Sequence, residues 1–254
     1  MGLTDLHIHS VHSNDATTTV RGILRQAADM GLDVICITDH DQIRGSLEAR
    51  EMASKYNIEA IPGVEVSTSE GHLLGLFIEK LPPPGLSMVD TLLRIGELGG
   101  IAIAPHPFNR LPSSLSMQAV IGVLTQPRVK RILKGIEVYN MGTQGFDAVV
   151  QKLSIYLPLA KIASSDAHVY WAIGAGKTEF PGITAEDLRE ALENCTTVPI
   201  AYSGKFSAIT YLSWVRRMIL RKLGFTSDST SISRPVNTTR VKQAIAKMRK
   251  NKKR

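Results

Sequence analysis

The chain has 254 residues, 43% of them hydrophobic and 21% charged, with a formal net charge of +7. Those proportions are ordinary for a soluble globular protein of one large domain or two small ones, with a single sizeable core. The start lacks the basic and apolar stretches of a secretory leader, no apolar run approaches the ~20 residues that span a bilayer, and two cysteines, Cys36 and Cys195, build no disulfide framework, so a cytoplasmic protein with reduced thiols is expected.

The first predicted strand, Thr4–His9, closes on D-L-H-I-H-S, which carries Asp5, His7 and His9. An amphipathic helix over Thr19–Met30 follows, with Gly31 placed to terminate it. Strand Asp33–Thr38 runs into T-D-H-D, with Asp39, His40 and Asp41, and a helix is expected over Ile43–Tyr56. Strands Ala60–Ser67, with Glu65 in P-G-V-E-V-S, and His72–Ile78 succeed each other without a helix, as a hairpin or as two barrel strands with a short link. Helix Ser87–Leu98 is capped by Ser87 and stopped by Gly99. Strand Gly100–Pro105 leads to His106 in A-P-H-P-F, then helix Ser116–Leu124. Strand Gly135–Tyr139 holds Glu137 and leads to Asn140, for which structural hydrogen bonding is as good a reading as pocket lining. Helix Gly145–Tyr156 and strand Lys161–Ser165 lead to S-S-D-A-H, with Asp166 and His168. G-A-G-K-T at Gly174–Thr178 is not a P-loop, because Trp171 stands where the first glycine belongs. Helix Ala185–Asn194 opens with Thr184 and Asp187, nearly a capping box.

Strand–helix alternation implies a parallel sheet, open or closed, and seven strands in about 200 residues favour a barrel. In a (β/α) barrel the C-terminal strand ends converge on one face, where active sites sit. His7 and His9, two apart on a strand, point to the same side, and Asp166 and His168 repeat that spacing. A lone histidine near a strand end is more often a hydrogen-bonded structural residue. Six histidines with several carboxylates are another matter. Burying them together without a metal costs on the order of several kcal/mol in unsatisfied or like-charged groups. A mixed imidazole and carboxylate shell suits Zn, Mn or Fe.

In this order and at these spacings, D-L-H-I-H-S, T-D-H-D, P-G-V-E, H-P-F and S-D-A-H resemble the motifs of the PHP (polymerase and histidinol phosphatase) family. The resemblance covers roughly residues 3–200. It implies an α/β fold, a distorted seven-stranded (β/α) barrel over residues 1–200, holding two to three divalent ions of Mn, Zn or Fe. His7, His9, Glu65 and Asp166 are implied at the first metal, Glu65, His72 and His106 at the second, and Asp15, His40 and His168 at the third. His12 rivals Asp15. The implied activity is phosphoester hydrolysis by metal-activated hydroxide, on small phosphorylated molecules, nucleotides or short oligonucleotides. His168 and Asp41 are candidate catalytic groups, Asp41 as an acid or an orienter. Asp5 and Asp39 are expected to support neighbouring histidines. Arg44, Arg110 and Lys177 are candidate phosphate contacts.

The end of the chain differs. Residues 201–254 carry 14 Lys/Arg and one acid, net +13, which leaves net −6 for residues 1–200. Residues 201–225 contain an amphipathic basic helix, about Ile209–Leu223, expected to pack on or beside the barrel, and 226–254 read as a flexible basic tail. The plainer reading, a packed helix with a solvated basic face and end, stands ahead of two sharper ones, contact with nucleic acid within 205–254 and an interfacial membrane helix. Three functions follow: a phosphoesterase on small or short substrates, a nuclease gripping longer RNA or DNA with the tail, and a non-catalytic barrel subunit of a nucleic-acid-processing complex. The intact ligand set argues against the last.

Overall fold

The computed structural model describes residues 1–109, 111–143 and 147–201, with Leu212, Val215, Arg216, Ile219 and Leu220. Among residues 1–201 as described, ten strands and six α-helices are formed. The strands are β1 (Gly2–Ile8), β2 (Val34–Ile37), β3 (Glu59–Ile61), β4 (Gly63–Thr68), β5 (Gly71–Leu76), β6 (Ile101–Ala104), β7 (Leu133–Asn140), β8 (Ala160–Ser164), β9 (Lys177–Phe180) and β10 (Val198–Ile200). The helices are α1 (Val20–Asp29), α2 (Arg44–Met52), α3 (Met88–Glu97), α4 (Met117–Leu124), α5 (Asp147–Ser154) and α6 (Ala185–Glu193).

The expected caps are present. Thr19, Ser87 and Ser116 each accept a first-turn backbone N–H, and Thr184 and Asp187 form a reciprocal capping box. Gly31 and Gly99 terminate α1 and α3 at φ 68° and 77°, a region costly for any other residue.

The strands form two five-stranded sheets, β10-β9-β1-β2-β3 and β4-β5-β6-β7-β8. In the first, β1, β2 and β3 are parallel and β9 and β10 antiparallel. In the second, β4, β5 and β6 are antiparallel, then β6, β7 and β8 parallel. This departs from one ladder of seven. The expected strand Ala60–Ser67 divides at Pro62, which has no N–H to give to a ladder. The chain changes sheets there, β3 pairing with β2 and β4 with β5. β9 and β10 were not expected. β9 is four residues long with two charges, and β10 contains Pro199, as an edge strand tolerates. Two isolated bridges, Ile8–Ala167 and His40–Glu65, link the sheets.

Apolar side chains fill three layers. Leu6, Val34 and Cys36 from the first sheet meet Leu74, Leu76, Ile103 and Ile162 from the second, and Leu188 and Leu192 of α6 join this shared core. α1 and α2 cover the first sheet through Val20, Ile23, Leu24 and Ala49. α3, α4 and α5 cover the second through Leu92, Ile95, Val120 and Val150. Each fully buried Leu or Ile stabilises the fold by about 1.5–3 kcal/mol before entropy is counted.

Of the basic helix expected within 201–225, the five described residues are helical, and Leu212 and Ile219, two of its expected packing residues, are exposed. The rest of that helix and the tail lie outside the described residues. Among the described residues, no helix is long and apolar enough to cross a membrane. Cys36 is buried, Cys195 exposed, and both are free thiols.

Candidate metal centre

The centre begins with an irregularity in β1. Thr4 and Asp5 pair with Val34 and Ile35, yet Ile8 pairs with Ile37, so three steps of β1 span two of β2. Such a bulge re-aims side chains. Leu6 lies in the core between the sheets and Ile8 in the layer beneath α1 and α2. His7 and His9 therefore face the space between the sheets, fully buried, where both meet Glu65 of β4. Asp5 pins this region. Its Oδ1 accepts the Ser165 N–H at 3.0 Å and its Oδ2 the Gly174 N–H at 2.9 Å. Burial pushes its carboxyl up to about 6 against those bonds. Asp39 accepts the Ser10 N–H at 2.6 Å and the Ser10 hydroxyl at 2.7 Å. The two carboxylates expected to support histidine rings instead hold backbone.

Glu65 stands among five imidazoles. Oε1 lies 2.8 Å from His72 Nδ1 and 3.1 Å from His106 Nε2. Oε2 lies 3.2 Å from His7 Nε2, 3.3 Å from His9 Nε2 and 3.1 Å from His40 Nδ1. Asp166 Oδ1 adds a second carboxylate, 3.4 Å from His7 Nε2 and 3.2 Å from His9 Nε2. Asp15 Oδ2 lies 3.2 Å from His40 Nε2 and 3.0 Å from His168 Nε2. All nine expected residues are thus brought together. Between Asp15 and His12 the geometry is plain: His12 turns to Glu48, 3.3 Å away.

Burial opposes charge on all these groups, but their mutual attraction outweighs it for most. His7 is pushed well above its ordinary value by Asp166 and Glu65, and Glu65 is held well below its own by His7 and His106. Burial is offset by Asp15 and Asp166 at His168, which rises to about 9. His9 goes the other way, down to about 4, through burial and the nearby His168. A buried neutral imidazole needs a partner. His9 Nε2 has no hydrogen bond, although it faces oxygens of Asp166 and Glu65. Among the described residues, four groups of donor atoms lie within mutual reach of one ion: His9, Asp15, His40 and His168; His7, His9 and Asp166; His7, Glu65 and His106; His40, Glu65 and His72. The residues present therefore fit several divalent ions sharing ligands.

Three residues here have left-handed backbone, Asp41 (φ 47°), His106 (φ 30°) and Asp166 (φ 50°). Such conformations cost roughly 1–3 kcal/mol and cluster at functional sites. Asp166 and His168 lie past the end of β8 at Ser164, so they do not share a strand face as expected. His168 is instead oriented by the Asp166 carbonyl, 2.9 Å from its Nδ1. Ser13 escaped the sequence reading. Its hydroxyl lies 3.3 Å from His9 Nδ1 and accepts the His40 N–H at 2.9 Å.

A cavity of about 510 Å³ opens over the cluster. Asp15, His40, Glu65, His72, His106, Asp166 and His168 line one side, and Leu111, Met141, Val169 and Ala172 give it an apolar wall. Asp41, Arg44 and Lys177 do not line it. Asp41 accepts the Ser67 N–H at 2.8 Å and so steadies the turn end of the hairpin. Arg44 is exposed at the start of α2. Lys177 is committed to β9, between β1 and β10. Arg110 lies outside the described residues.

A model of the PHP domain matches residues 5–210. An uncharacterized protein of Methanocaldococcus jannaschii is 32% identical over 178 residues, which are 66% of this chain and 97% of that one. A 3',5'-nucleoside bisphosphate phosphatase of Chromobacterium violaceum is 36% identical over 87 residues, 33% of this chain and 30% of that one. The crystal structure of a two-domain Bacteroides vulgatus protein, containing a predicted PHP-like metal-dependent phosphoesterase, superposes with a TM-score of 0.66 at 20% identity, covering 84% of this chain and 69% of that one. With the whole histidine and carboxylate cluster inside the matched residues, the chain belongs to the PHP family.

Proposed function

We propose that the protein is a metal-dependent hydrolase of phosphoesters on small molecules, nucleotides or short oligonucleotides. One observation carries this: Glu65, buried among five imidazoles, lies at the floor of a cavity with room for a phosphoester. His7, His9, Glu65 and Asp166 would hold one ion, Glu65, His72 and His106 a second, and Asp15, His40 and His168 a third. Bound divalent ions of Mn, Zn or Fe supply an activated water and neutralise phosphoryl charge. The chain's own part is to fix the ligands before substrate arrives. Ser13 steadies His9, and the Asp166 carbonyl steadies His168. The apolar wall of Leu111, Met141, Val169 and Ala172 receives the organic part of the ester and excludes water from it. The bridges Ile8–Ala167 and His40–Glu65 support the closure of a distorted barrel of β1, β2 and β4 to β8.

The test is a panel of phosphomonoesters, bisphosphates and short oligonucleotides, assayed with Mn, Zn and Fe. Metal-dependent turnover on part of the panel is expected. Uniform inactivity of metal-loaded protein contradicts the proposal. The charge split, net −6 up to residue 200 and +13 beyond, favours a second reading: a nuclease whose C-terminal segment grips longer RNA or DNA.

A further inference from the structure

Glu137 sits on β7, fully buried, and touches none of the cavity. Its two oxygens nevertheless reach three parts of the cluster. Oε1 lies 3.0 Å from His7 Nδ1. Oε2 accepts the backbone N–H of His106 at 2.8 Å and the side-chain amide of Asn140 at 2.8 Å. The same Asn140 amide nitrogen reaches Asp166 Oδ2 at 3.3 Å. The amide cannot be turned round, because Asn140 Oδ1 accepts the Gly142 N–H at 2.9 Å.

We propose that Glu137 is a positioning residue for the metal centre, setting His7, His106 and Asp166 at once. The inference rests on the metal-dependent reading above. An imidazole has one donor and one acceptor nitrogen when neutral. When His7 is neutral, giving Nδ1–H to Glu137 leaves the Nε2 lone pair for an ion that Glu65 and Asp166 would also hold. The bond also spans the two sheets, from β7 to β1, and fixes their spacing where the ligands meet. At His106 the backbone has φ 30° and is held there in part by its N–H bond to Glu137. At Asp166 the action passes through Asn140, which leaves Oδ1 for the histidines.

The His106 N–H and the Asn140 amide are donors, and with Nε2 given to an ion His7 Nδ1 would be a third, a set that only a carboxylate satisfies without conflict. Glu137→Gln keeps the shape but turns an NH2 group towards at least one N–H. The experiment titrates metal-free wild type, Glu137→Gln and Asn140→Ala with Zn and with Co against a competing chromophoric chelator. Metal-free melting curves and the Co absorption bands are recorded alongside. Glu137→Gln is expected to bind about 10- to 100-fold more weakly, with altered Co bands. Asn140→Ala, which leaves His7 bonded, is expected to weaken binding less. A purely structural role would lower the metal-free melting temperature and leave affinity and bands unchanged. Glu137→Gln within twofold of wild type overturns the inference while the metal-dependent reading stands. Wild type that takes up no metal overturns both. If Glu137→Gln fails to fold, Asn140→Ala decides, and wild-type affinity in that variant overturns the inference.

Discussion

The two sheets deliver the clustered histidines and carboxylates to one rim by opposite routes. In the first, parallel β1 and β2 place His7, His9 and His40 at or just past their C-terminal ends, and a bulge is needed to turn His7 and His9 inward. In the second, β4 and β5 form an antiparallel hairpin in which Ser67 faces His72 and Glu65 faces Leu74. Glu65 and His72 are diagonal neighbours on one face, the separation over which cross-strand side chains still meet. His72 thus joins the cluster from near the start of its strand. What unites the cluster is the rim, and an antiparallel strand brings its beginning there. Glu65 touches five histidines, three from the first sheet and two from the second, so its loss disturbs both routes at once.

Glu65→Gln is expected to have the largest effect. Turnover should fall on the order of a thousandfold or more, because the charge opposed to five imidazoles is removed. Metal content should drop at more than one position. Near wild-type turnover would deny Glu65 its shared place. The next effect separates the sheets: His9→Asn and His72→Asn should each lose a different ion and leave the other sheet's ligands engaged. Metal analysis of the two variants, followed by the double variant, checks this through the additivity of their losses. Asp15→Asn, at the exposed edge of the cluster, should cost less than Glu65→Gln.

A smaller effect is protonic. His168 is raised to about 9 from an ordinary 6.5 by Asp15 and Asp166, which outweigh burial. Its bound proton therefore stabilises the metal-free fold fully below about pH 6.5, and that contribution is lost as pH rises through about 9. Metal needs the neutral ring, so metal affinity should climb over the same window and uptake should release protons. Binding enthalpies in buffers of different ionisation heat measure that release, and buffer-independent enthalpies would contradict it. The smallest expected effect on the site comes from truncation after Gly224. Small-ester turnover should stay near the full-length value, while RNA binding at 50 mM salt falls sharply and its steep salt dependence disappears. Equal RNA affinity of the two forms would leave the basic end merely solvated.

The legible parts of the molecule were those written in local pattern. Thr184 with Asp187, Ser87, Gly31 and Gly99 cap helices where short-range chemistry says they should. Eight of the nine histidines and carboxylates stood at the ends of apolar runs, Asp15 lay in the loop after the first, and the resemblance to the PHP motifs grouped them. What escaped depends on distant partners. Nothing local says that β1 bulges, that Asp41 turns to the Ser67 amide, or that Asp5 spends its oxygens on Ser165 and Gly174. β9 and β10 are strands because β1 offers an edge, not because their composition demands it. Glu137 looked like an ordinary strand residue, since its meaning lies in His7, 130 positions away. An acid inside a buried strand was the available signal, for such a group must find several donors.

The proposed work of these residues is to hold metal for phosphoester chemistry. Metal analysis of the protein after loading with Mn, Zn or Fe, read together with phosphoester turnover on the same sample, tests it most directly. Two to three equivalents bound per chain, with turnover that disappears on chelation and returns on readdition, is the predicted result. A folded protein that binds no metal under any of these conditions would contradict the account.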